Sequence, residues 1–436
     1  MAELPFRKRI YFGMGGLTMN LPDMIVAQWF FVRYAPAEVS QHLIPAALLG
    51  VVFFLGRMAE GTSNPFVGHF SDTCKHRWGR RLPFLRFGIV PFALVFFLLF
   101  NPPVGHMHWI NIVYVLIISQ AYFILYSAVI TPYLALLPEL TSDVKERVDL
   151  TTAQSVFLLI GTFIFVGVGP TIEHFGWAVM AAGVAVLMLI FFFPIAFLVQ
   201  EKSRPAVQDE VPLHLLQSVR LAFKNRPFRY LLAGTGLYWF GLSGVIALIP
   251  FWAECVLGFG KGDVASLMGP FLVVNLVAFF VVNALVPRYG KYKLMQLTFL
   301  TSAPCLAALC LVGWFPVGSM FWQTAIIVGL FGVPVGGFMV LPFAILADIV
   351  DYDERQIGRR REAIFFGVQG IVQKLFIGSA MLTFTFVPYL GGGGSVTPFG
   401  LKLMALLCGI ACLLGGIAFL GYPLREKGGK IIVLGE

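Results

Sequence analysis

Charged residues are scarce in this sequence: Asp, Glu, Lys and Arg make up 12% of its 436 residues. Soluble domains hold about 25% charged residues, whereas 58% of the residues here are hydrophobic. This balance argues against a large soluble globular core and predicts a polytopic membrane protein.

The sequence also lacks the residue patterns on which enzymes depend. It has no nucleophile paired with a base, no phosphate-binding loop and no cluster of residues with metal-ligand spacing, its six cysteines included. The net charge of +9 comes from basic residues spread over short loops, so no nucleic-acid surface is implied. We therefore expect no enzymatic activity, no cofactor, no metal and no nucleic-acid partner.

We expect that the first hydrophobic segment is not a cleavable signal peptide. The first hydrophobic segment is long, contains Asn20, Pro22 and Asp23, and has no small-residue cleavage site. We expect this segment to remain as a membrane helix. At the other end the tail runs to Glu436, and we expect no regulatory domain after the last hydrophobic segment.

Long apolar runs, by contrast, are abundant, and runs of about 20 residues or more predict transmembrane helices. Twelve such spans lie at approximately residues 10–34, 43–70, 84–101, 108–138, 150–172, 176–199, 228–257, 264–286, 294–315, 319–349, 363–390 and 399–423. The predicted fold class is an all-α membrane protein of twelve transmembrane helices.

Lysine and arginine residues are concentrated on one side of these spans. The face formed by the N-terminus, the loops after even-numbered spans and the C-terminus holds 26 of them, and the opposite face holds 3. Because cytoplasmic loops are enriched in Lys and Arg, both termini are predicted to lie in the cytoplasm. We expect a multi-pass protein of the cell membrane, which would be the inner membrane of a bacterium.

The chain divides into two similar halves. A polar loop, residues 201–225, separates the predicted bundles 1–200 and 226–436. At an offset of 208 to 211 residues, the shared features are Arg77-Trp78-Gly79-Arg80-Arg81 with Arg288-Tyr289-Gly290-Lys291-Tyr292, Asp143-x-x-Glu146-Arg147 with Asp351-x-x-Glu354-Arg355, and Pro132 with Pro342. The matches predict a duplicated six-helix unit, with which transporters place a substrate site between the repeats near the middle of the membrane.

Span 2 contains polar residues where hydrocarbon penalises each charge by about 2.5–3.5 kcal/mol. They are Arg57, Glu60, Ser63 and Asn64. Residues three and four apart share a helix face, so Arg57 can pair with Glu60 while the three oxygen-bearing side chains point at one spot. The pattern indicates a cation or proton site, and the alternative is an Arg–Glu pair that only fixes helix packing.

Other polar and aromatic residues inside the spans are candidates for a substrate cavity. The candidates are Asn20, Asp23, Tyr126, Ser155, Trp239, Gln369, Gln373 and Lys374. Lys374 lies in the middle of its span, too far from either side to snorkel. We predict that it faces a cavity between the halves and meets Glu60 or Asp23, and the alternative is a structural ion pair between helices.

Charged residues also lie at the predicted cytoplasmic ends of the helices. These are Asp72, Arg80, Arg81, Asp143, Glu146, Arg147, Asp348, Asp351, Glu354 and Arg355. Ion pairs between the halves would form a cytoplasmic gate that keeps the cavity closed on the inside. These ion pairs would break when the cavity opens inward. The alternative is that these charges only mark the topology.

Three stretches of the sequence carry a family resemblance. They are E-x-x-S-N-P-x-x-G-x-x-S-D with the following RWGRRLPFL, then PELTSDVKER, and ADIVDYDERQIGRRREAIFFGVQGIVQK. Together they resemble the glycoside-pentoside-hexuronide:cation symporters of the major facilitator superfamily, a family that includes melibiose permease. The resemblance covers nearly the whole chain and implies the major facilitator fold of two pseudo-symmetric six-helix bundles.

The resemblance also implies a cation site. Melibiose permease has two span-2 acids one turn apart, an Asn just before the second acid and a span-4 Thr. Glu60 aligns with the first acid, Ser63 with the Asn, Asn64 with the second acid and Ser127 with the Thr. One carboxylate is therefore missing, which weakens sodium binding and suits proton exchange at Glu60 next to Arg57 or Lys374. The coupling ion is expected to be H+ or Na+, with H+ favoured.

The sugar site of the family is matched less well. Its span-4 acid aligns with Ile130, the Trp one turn further with Leu134 and the span-5 Arg with Ser155. The span-1 acid falls near Met19 or Asn20, with Asp23 about one turn away, and the span-11 Lys is retained as Lys374. The resemblance therefore implies a more apolar pocket.

We expect a monomeric secondary transporter in the lipid bilayer that moves a glycoside or a related organic solute by cation- or proton-coupled symport and alternating access. Two alternatives stay open. One is an importer of a lipid-like amphiphile such as a lysolipid, and the other is a non-transporting assembly factor for membrane complexes built on the same fold.

Overall fold

The computed structural model of the protein describes residues 5–141, 143–199, 220, 222–314, 316, 318–357, 362–427 and 430–433. These residues form thirteen α-helices, twelve of them between 18 and 38 residues long. The long helices are α1 Phe6–Tyr34, α2 Ala46–Thr73, α3 Leu82–Leu99, α4 Trp109–Ala135, α5 Val144–Val166, α6 Val168–Phe193, α7 Arg226–Cys255, α8 Val264–Tyr289, α9 Lys291–Leu309, α10 Met320–Ile357, α11 Glu362–Phe384 and α12 Pro398–Leu420. The thirteenth helix is a four-residue turn, Leu137–Leu140, between α4 and α5.

Ten of the long helices are apolar enough to cross a membrane. The other two, α1 and α9, are richer in polar residues: α1 begins with three basic residues, and α9 begins with Lys291 and Lys293. The all-helical, membrane-spanning fold is thereby confirmed. The number of twelve spans and the cytoplasmic position of both termini stay predictions.

The fifth and sixth helices differ from the predicted spans 150–172 and 176–199. Helix α5 begins earlier, at Val144, because the Asp143 side chain caps it by accepting a hydrogen bond from the Glu146 backbone N at 3.0 Å. Gly176 interrupts α6 with φ 83° and ψ 172°, a conformation open to glycine but strained for other residues. The predicted border between the two spans therefore corresponds to a kink within α6.

The chain divides into two compact units. The first is Met1–Glu210 with Gly260–Gly262, and the second is Val211–Phe259 with Asp263–Glu436. The predicted linker, residues 201–225, lies outside the described residues except for 220 and 222–225. The predicted bundle boundaries accordingly stay a prediction.

The same helix pairs form in each unit. In the first unit α1 packs on α5 and α6, α2 packs on α4, and α3 packs on α4 and α6. In the second unit, helices six positions further along make the corresponding pairs: α7 with α11 and α12, α8 with α10, and α9 with α10 and α12. This agreement is what a duplicated six-helix unit requires.

Glycines let α1 approach α5 closely. A Cβ atom added at Gly16 would lie 2.5 Å from the Gln154 carbonyl oxygen, and one at Gly13 would lie 2.7 Å from the Ala153 carbonyl carbon. Backbone atoms cannot move aside as a flexible side chain can, so any larger residue separates the helices. Small residues at such contacts are typical of helix packing in membranes.

We expect Gly16→Ala to lower the free energy of unfolding by about 1–3 kcal/mol, because the added methyl group overpacks the α1–α5 contact. Gly183→Ala on α6 is the matched control, since no atom lies within 4 Å of a Cβ there and Ala favours helix. Thermal unfolding of both variants in detergent measures the difference. Equal midpoints for the two variants would contradict the close approach.

One element departs from an all-α fold. Residues Leu424–Lys427 (β1) and Lys430–Val433 (β2) form an antiparallel hairpin in which Leu424 pairs with Val433 and Lys427 with Lys430. The sequence predicts only a tail after the last helix. The hairpin follows α12 directly and does not alter the helical bundle.

Candidate functional site

A buried arginine lies between two acids in the first unit. Arg57 on α2 is 1% exposed, and its Nη1 lies 2.9 Å from Glu60 Oε2 and 2.7 Å from Asp23 Oδ1 on α1. The Glu60 side chain is 2% exposed and that of Asp23 is 31% exposed. We call these three residues the charged trio. The same nitrogen forms ion pairs with both carboxylates, so the trio links α1 to α2 and also links two successive turns of α2.

Aromatic rings enclose the guanidinium group. Its Cζ lies 5.2 Å from the centre of the Phe53 ring and 4.9 Å from that of Phe123 on α4. At such distances the negative ring faces attract a cation, and the attraction grows in a desolvated site. A Cβ atom at Gly56 would lie 2.2 Å from the Phe123 ring, so glycine is what lets this ring reach Arg57.

Two tyrosines of α4 adjoin the trio. Tyr122 and Tyr126 lie within electrostatic range of both Asp23 and Glu60. The Tyr126 hydroxyl donates to the Met19 carbonyl oxygen at 3.1 Å. Among the described residues, neither the buried Tyr122 hydroxyl nor Arg57 Nε has a hydrogen-bond partner. Buried polar atoms are normally satisfied, so these two groups can bind a further polar partner.

A second polar cluster lies one turn further along α2. Asn64 Oδ1 accepts hydrogen bonds from the hydroxyls of Ser127 and Thr131 on α4, the latter at 3.0 Å. The Ser63 hydroxyl donates to the Glu60 carbonyl oxygen of its own helix at 3.0 Å. The five predicted cation-site residues therefore form two groups, the pair Arg57 and Glu60 and the pair Asn64 and Ser127, with Ser63 bonded to the helix backbone.

The predicted substrate-cavity residues of the first unit have different hydrogen-bond partners. Asp23 belongs to the charged trio. Asn20 Nδ2 donates to the Leu158 carbonyl oxygen at 3.2 Å and to Thr162 Oγ1 at 2.8 Å on α5. Ser155 is exposed, and its hydroxyl donates to the Thr151 carbonyl oxygen at 2.9 Å. Asn20 and Ser155 thus bond to α5, and Tyr126 lies beside the trio.

The remaining cavity candidates lie in the second unit. Trp239 on α7 meets the Phe338 ring edge to face at a centroid distance of 5.3 Å. Gln369 is buried, and its Oε1 has no hydrogen-bond partner among the described residues. Gln373 and Lys374 on α11 are half-buried. The pairing of Lys374 with Glu60 or Asp23 stays a prediction.

Three of the predicted gate residues form an ion-pair network with a fourth charge. Arg80 Nη2 lies 2.7 Å from Glu139 Oε1, while Arg81 Nη2 lies 2.8 Å from Asp72 Oδ1 and 3.5 Å from Glu139 Oε1. The network connects the loop between α2 and α3 with the helical turn after α4. These contacts lie inside the first unit.

The second unit has an equivalent pair. Lys291 Nζ lies 2.6 Å from Asp348 Oδ2. Lys291 occupies the position of Arg80 in the sequence repeat, and Asp348 lies 209 residues after Glu139, within the offset range of the repeat. The repeat is therefore visible in the contacts of individual charges as well as in helix packing.

The other gate candidates have local roles in the described structure. Asp143 caps α5, Glu146 accepts a hydrogen bond from the Thr141 hydroxyl, and Arg147 Nε donates to the Thr141 carbonyl oxygen at 3.2 Å. Their repeat counterparts Asp351, Glu354 and Arg355 lie at the end of α10, and the stretch that follows, residues 358–361, is outside the described residues.

Sequence reasoning missed several residues of these sites. Glu139 was left out of the gate although it lies in the quoted stretch PELTSDVKER, and an acid beside the basic loop of its own half was the available signal. Phe123 and Thr131 were also left out. Their roles depend on which face of α4 meets α2, and hydrophobic patterning does not give that rotation for a helix that is apolar all round.

We expect Glu139→Gln to lower the free energy of unfolding by about 1–3 kcal/mol, because two guanidinium groups lose a carboxylate that is only 8% exposed. Asp72→Asn is the matched control, since that carboxylate is 54% exposed and exposed ion pairs contribute about 0–1 kcal/mol. Thermal unfolding in detergent ranks the variants. A larger loss for Asp72→Asn would contradict this assignment.

The comparisons with known proteins agree with this architecture. The family model described as MFS/sugar transport protein matches residues 11–426. The chain therefore belongs to this family, and the resemblance to cation-coupled sugar symporters is confirmed. It is a multi-pass transporter of the cell membrane with a small-molecule substrate, and it is not an enzyme.

Two relatives illustrate the range of the family. The chain is 25% identical to the isoprimeverose transporter of Lactiplantibacillus pentosus, over 86% of this chain and 78% of that protein. It is 26% identical to a glucuronide carrier protein homolog of Escherichia coli (strain K12), over 99% of this chain and 95% of that protein.

Among solved structures, the crystal structure of the nucleoside transporter NupG is similar in fold. It matches with a TM-score of 0.66 and covers 95% of this chain and 99% of that chain at 11% sequence identity. At this identity the likeness concerns the fold alone.

Proposed function

We propose that this protein is a proton-coupled symporter of a glycoside or a related organic solute that works by alternating access as a monomer. The observation that carries the proposal is the charged trio. With all three groups ionised, Asp23, Arg57 and Glu60 leave one net negative charge within the membrane-spanning part of the first unit. Ionisable groups inside spans mark ion and proton pathways, and one bound cation would neutralise this charge.

The surroundings of the trio favour a proton over sodium. A hard cation binds where several oxygen ligands converge. The Asn64 oxygen already accepts from two hydroxyls, and the Ser63 hydroxyl is bonded to its own helix. One Glu60 oxygen lies 2.9 Å from the Arg57 guanidinium, which leaves fewer oxygens to converge on a metal cation, whereas a proton needs one carboxylate oxygen and no further ligands.

The substrate class is inferred from the relatives and from the site. The relatives described above are named as an isoprimeverose transporter and as a homolog of a glucuronide carrier protein, and both names refer to sugar derivatives. Asp23 is the partly exposed member of the trio, so a solute hydroxyl can bind it. Such binding would change the ion pair of Asp23 with the Arg57 nitrogen that also pairs with Glu60. We propose this shared nitrogen as the link between solute binding and proton binding. Lys374, Trp239 and Gln369 stay proposed substrate-binding residues of the second unit, and the ion pairs of Arg80 and Lys291 stay proposed gate contacts, each within its own unit.

Uptake of labelled solutes into proteoliposomes tests the proposal. The panel contains glycosides, a nucleoside and a lysolipid, each measured under an inward proton gradient, an inward sodium gradient or no gradient. We expect a glycoside to accumulate under the proton gradient alone, and a protonophore to abolish the accumulation.

Two outcomes would contradict the proposal. Accumulation that follows the sodium gradient and persists with a protonophore would move the coupling from proton to sodium. Movement of no solute in the panel under any gradient would favour the assembly factor on the same fold.

A further inference from the structure

A second cationic cluster lies beyond the end of α2. Arg57 is 16 residues before the last residue of α2, so this cluster is more than about 24 Å along the helix axis from the charged trio. Its members are Arg77, Trp78, Arg86, Phe87 and Phe197, and we call them the basic aromatic cluster. It joins the loop after α2 to the start of α3 and to the π-helical turn Pro194–Leu198 after α6.

Two guanidinium groups share one indole ring in this cluster. The Cζ of Arg86 lies 4.5 Å from the centre of the Trp78 ring, and that of Arg77 lies 5.0 Å from it. Arg86 Nε donates to the Ala196 carbonyl oxygen at 2.6 Å, and its Cζ lies 5.5 Å from the Phe197 ring. These contacts hold the two positive charges in place over the rings.

Among the residues that the structure describes, neither charge has a carboxylate beside it. Within the described part of the chain, no ion pair forms at Arg77 or Arg86. The nearby acids Asp72 and Glu139 pair with Arg81 and Arg80 instead. Two neighbouring guanidinium groups without a counter-ion match a phosphate group, which each can bind with two parallel hydrogen bonds.

Exposed aromatic side chains adjoin the charges. The Phe87 ring lies 5.7 Å from that of Trp78, and Phe197 stacks on Phe193 at 4.8 Å. All three phenylalanine rings are exposed, and they belong to the ends of segments apolar enough to span a membrane. A ligand that binds both the guanidinium groups and the exposed rings carries a phosphate with hydrocarbon chains next to it.

We propose that the basic aromatic cluster binds an anionic phospholipid. The phosphate binds Arg77 and Arg86, and the acyl chains lie over Phe87 and Phe197. Trp78 lies between the two parts, as tryptophan does at the boundary between headgroups and hydrocarbon. The repeat position in the second unit lacks the pattern: Arg288 stacks on Tyr289 at 5.4 Å, but Leu297 corresponds to Arg86.

Native mass spectrometry of the purified full-length protein tests the proposal, with phosphatidylglycerol and phosphatidylcholine of the same acyl chains as probes. We expect the wild-type protein to retain phosphatidylglycerol more tightly, and Arg77→Gln and Arg86→Gln each to weaken that retention about fivefold. Arg288→Gln removes the same charge at the repeat position and should leave retention unchanged. Arg77 is exposed, so Arg77→Gln keeps the test valid even if Arg86→Gln fails to fold.

A competition experiment identifies the source of the phosphate. Glycerol 3-phosphate, added in excess over the lipid, should not displace phosphatidylglycerol, because it lacks the acyl chains. Displacement would overturn the proposal in favour of a soluble anion. Equal retention of the two lipids, or equal losses in Arg77→Gln and Arg288→Gln, would overturn it as well.

Discussion

Glu60→Gln is expected to abolish proton-driven accumulation of the solute while exchange of solute across the membrane continues. Glutamine preserves the size of the side chain and can still accept a hydrogen bond from Arg57, but it cannot take up and release a proton. Uptake into proteoliposomes under an inward proton gradient should fall to the level measured without a gradient. Counterflow, which needs no net proton movement, should persist.

The matched control for this change is Glu38→Gln. Glu38 is exposed in the segment between α1 and α2, and its side chain accepts hydrogen bonds from its neighbours Ser40 and Gln41 only among the described contacts. Accumulation should stay at the wild-type level in this variant. If Glu60→Gln accumulates solute as the wild type does, the trio does not carry the coupled proton.

Arg57→Met is expected to cause a large loss of stability in the first unit. It leaves the Glu60 carboxylate buried without its counter-charge, and removal of one partner from a buried ion pair costs about 3–5 kcal/mol. Methionine fills a similar length between Phe53 and Phe123, so loss of charge rather than loss of volume dominates the effect. Thermal unfolding in detergent measures it.

The double variant Arg57→Met with Glu60→Gln separates charge from packing. Arg57→Met alone leaves two negative charges in the trio, whereas the double variant leaves only that of the partly exposed Asp23, as many net charges as in the wild type. The double variant should therefore unfold at a higher temperature than Arg57→Met alone. The coupling energy from the complete cycle reports the interaction of the pair. A double variant less stable than Arg57→Met would show that packing around Arg57, and not its charge, stabilises this part of α2.

The sequence predicted the local part of the charged trio and missed the long-range part. Arg57 and Glu60 are three residues apart on one helix, so helical geometry alone places them together. Asp23 is on another helix, and its contact with Arg57 depends on how α1 is rotated toward α2. It was assigned to the substrate cavity because mid-span acids are visible in a sequence, whereas their partners across helices are not.

The same distinction explains other differences between sequence and structure. The repeat at Arg80 and Lys291 was readable because both copies keep the order of charges in the loop after an even-numbered helix. Glu139 was not recognised as the partner of Arg80, since 59 residues separate the two. The predicted start of α5 is six residues too late, because the prediction used apolar content and did not consider Asp143 as the N-cap.

Phe123 on α4 packs against Gly56 on α2, so the distance between these helices affects how well the buried Arg57 is stabilised. Phe123 reaches the guanidinium because α2 has no side chain at residue 56, and α2 packs on α4 along this line. A shift of α4 away from α2 would withdraw one of the two ring faces from Arg57 and leave room for water beside it. The spacing of the two helices would therefore determine how closely water approaches this arginine.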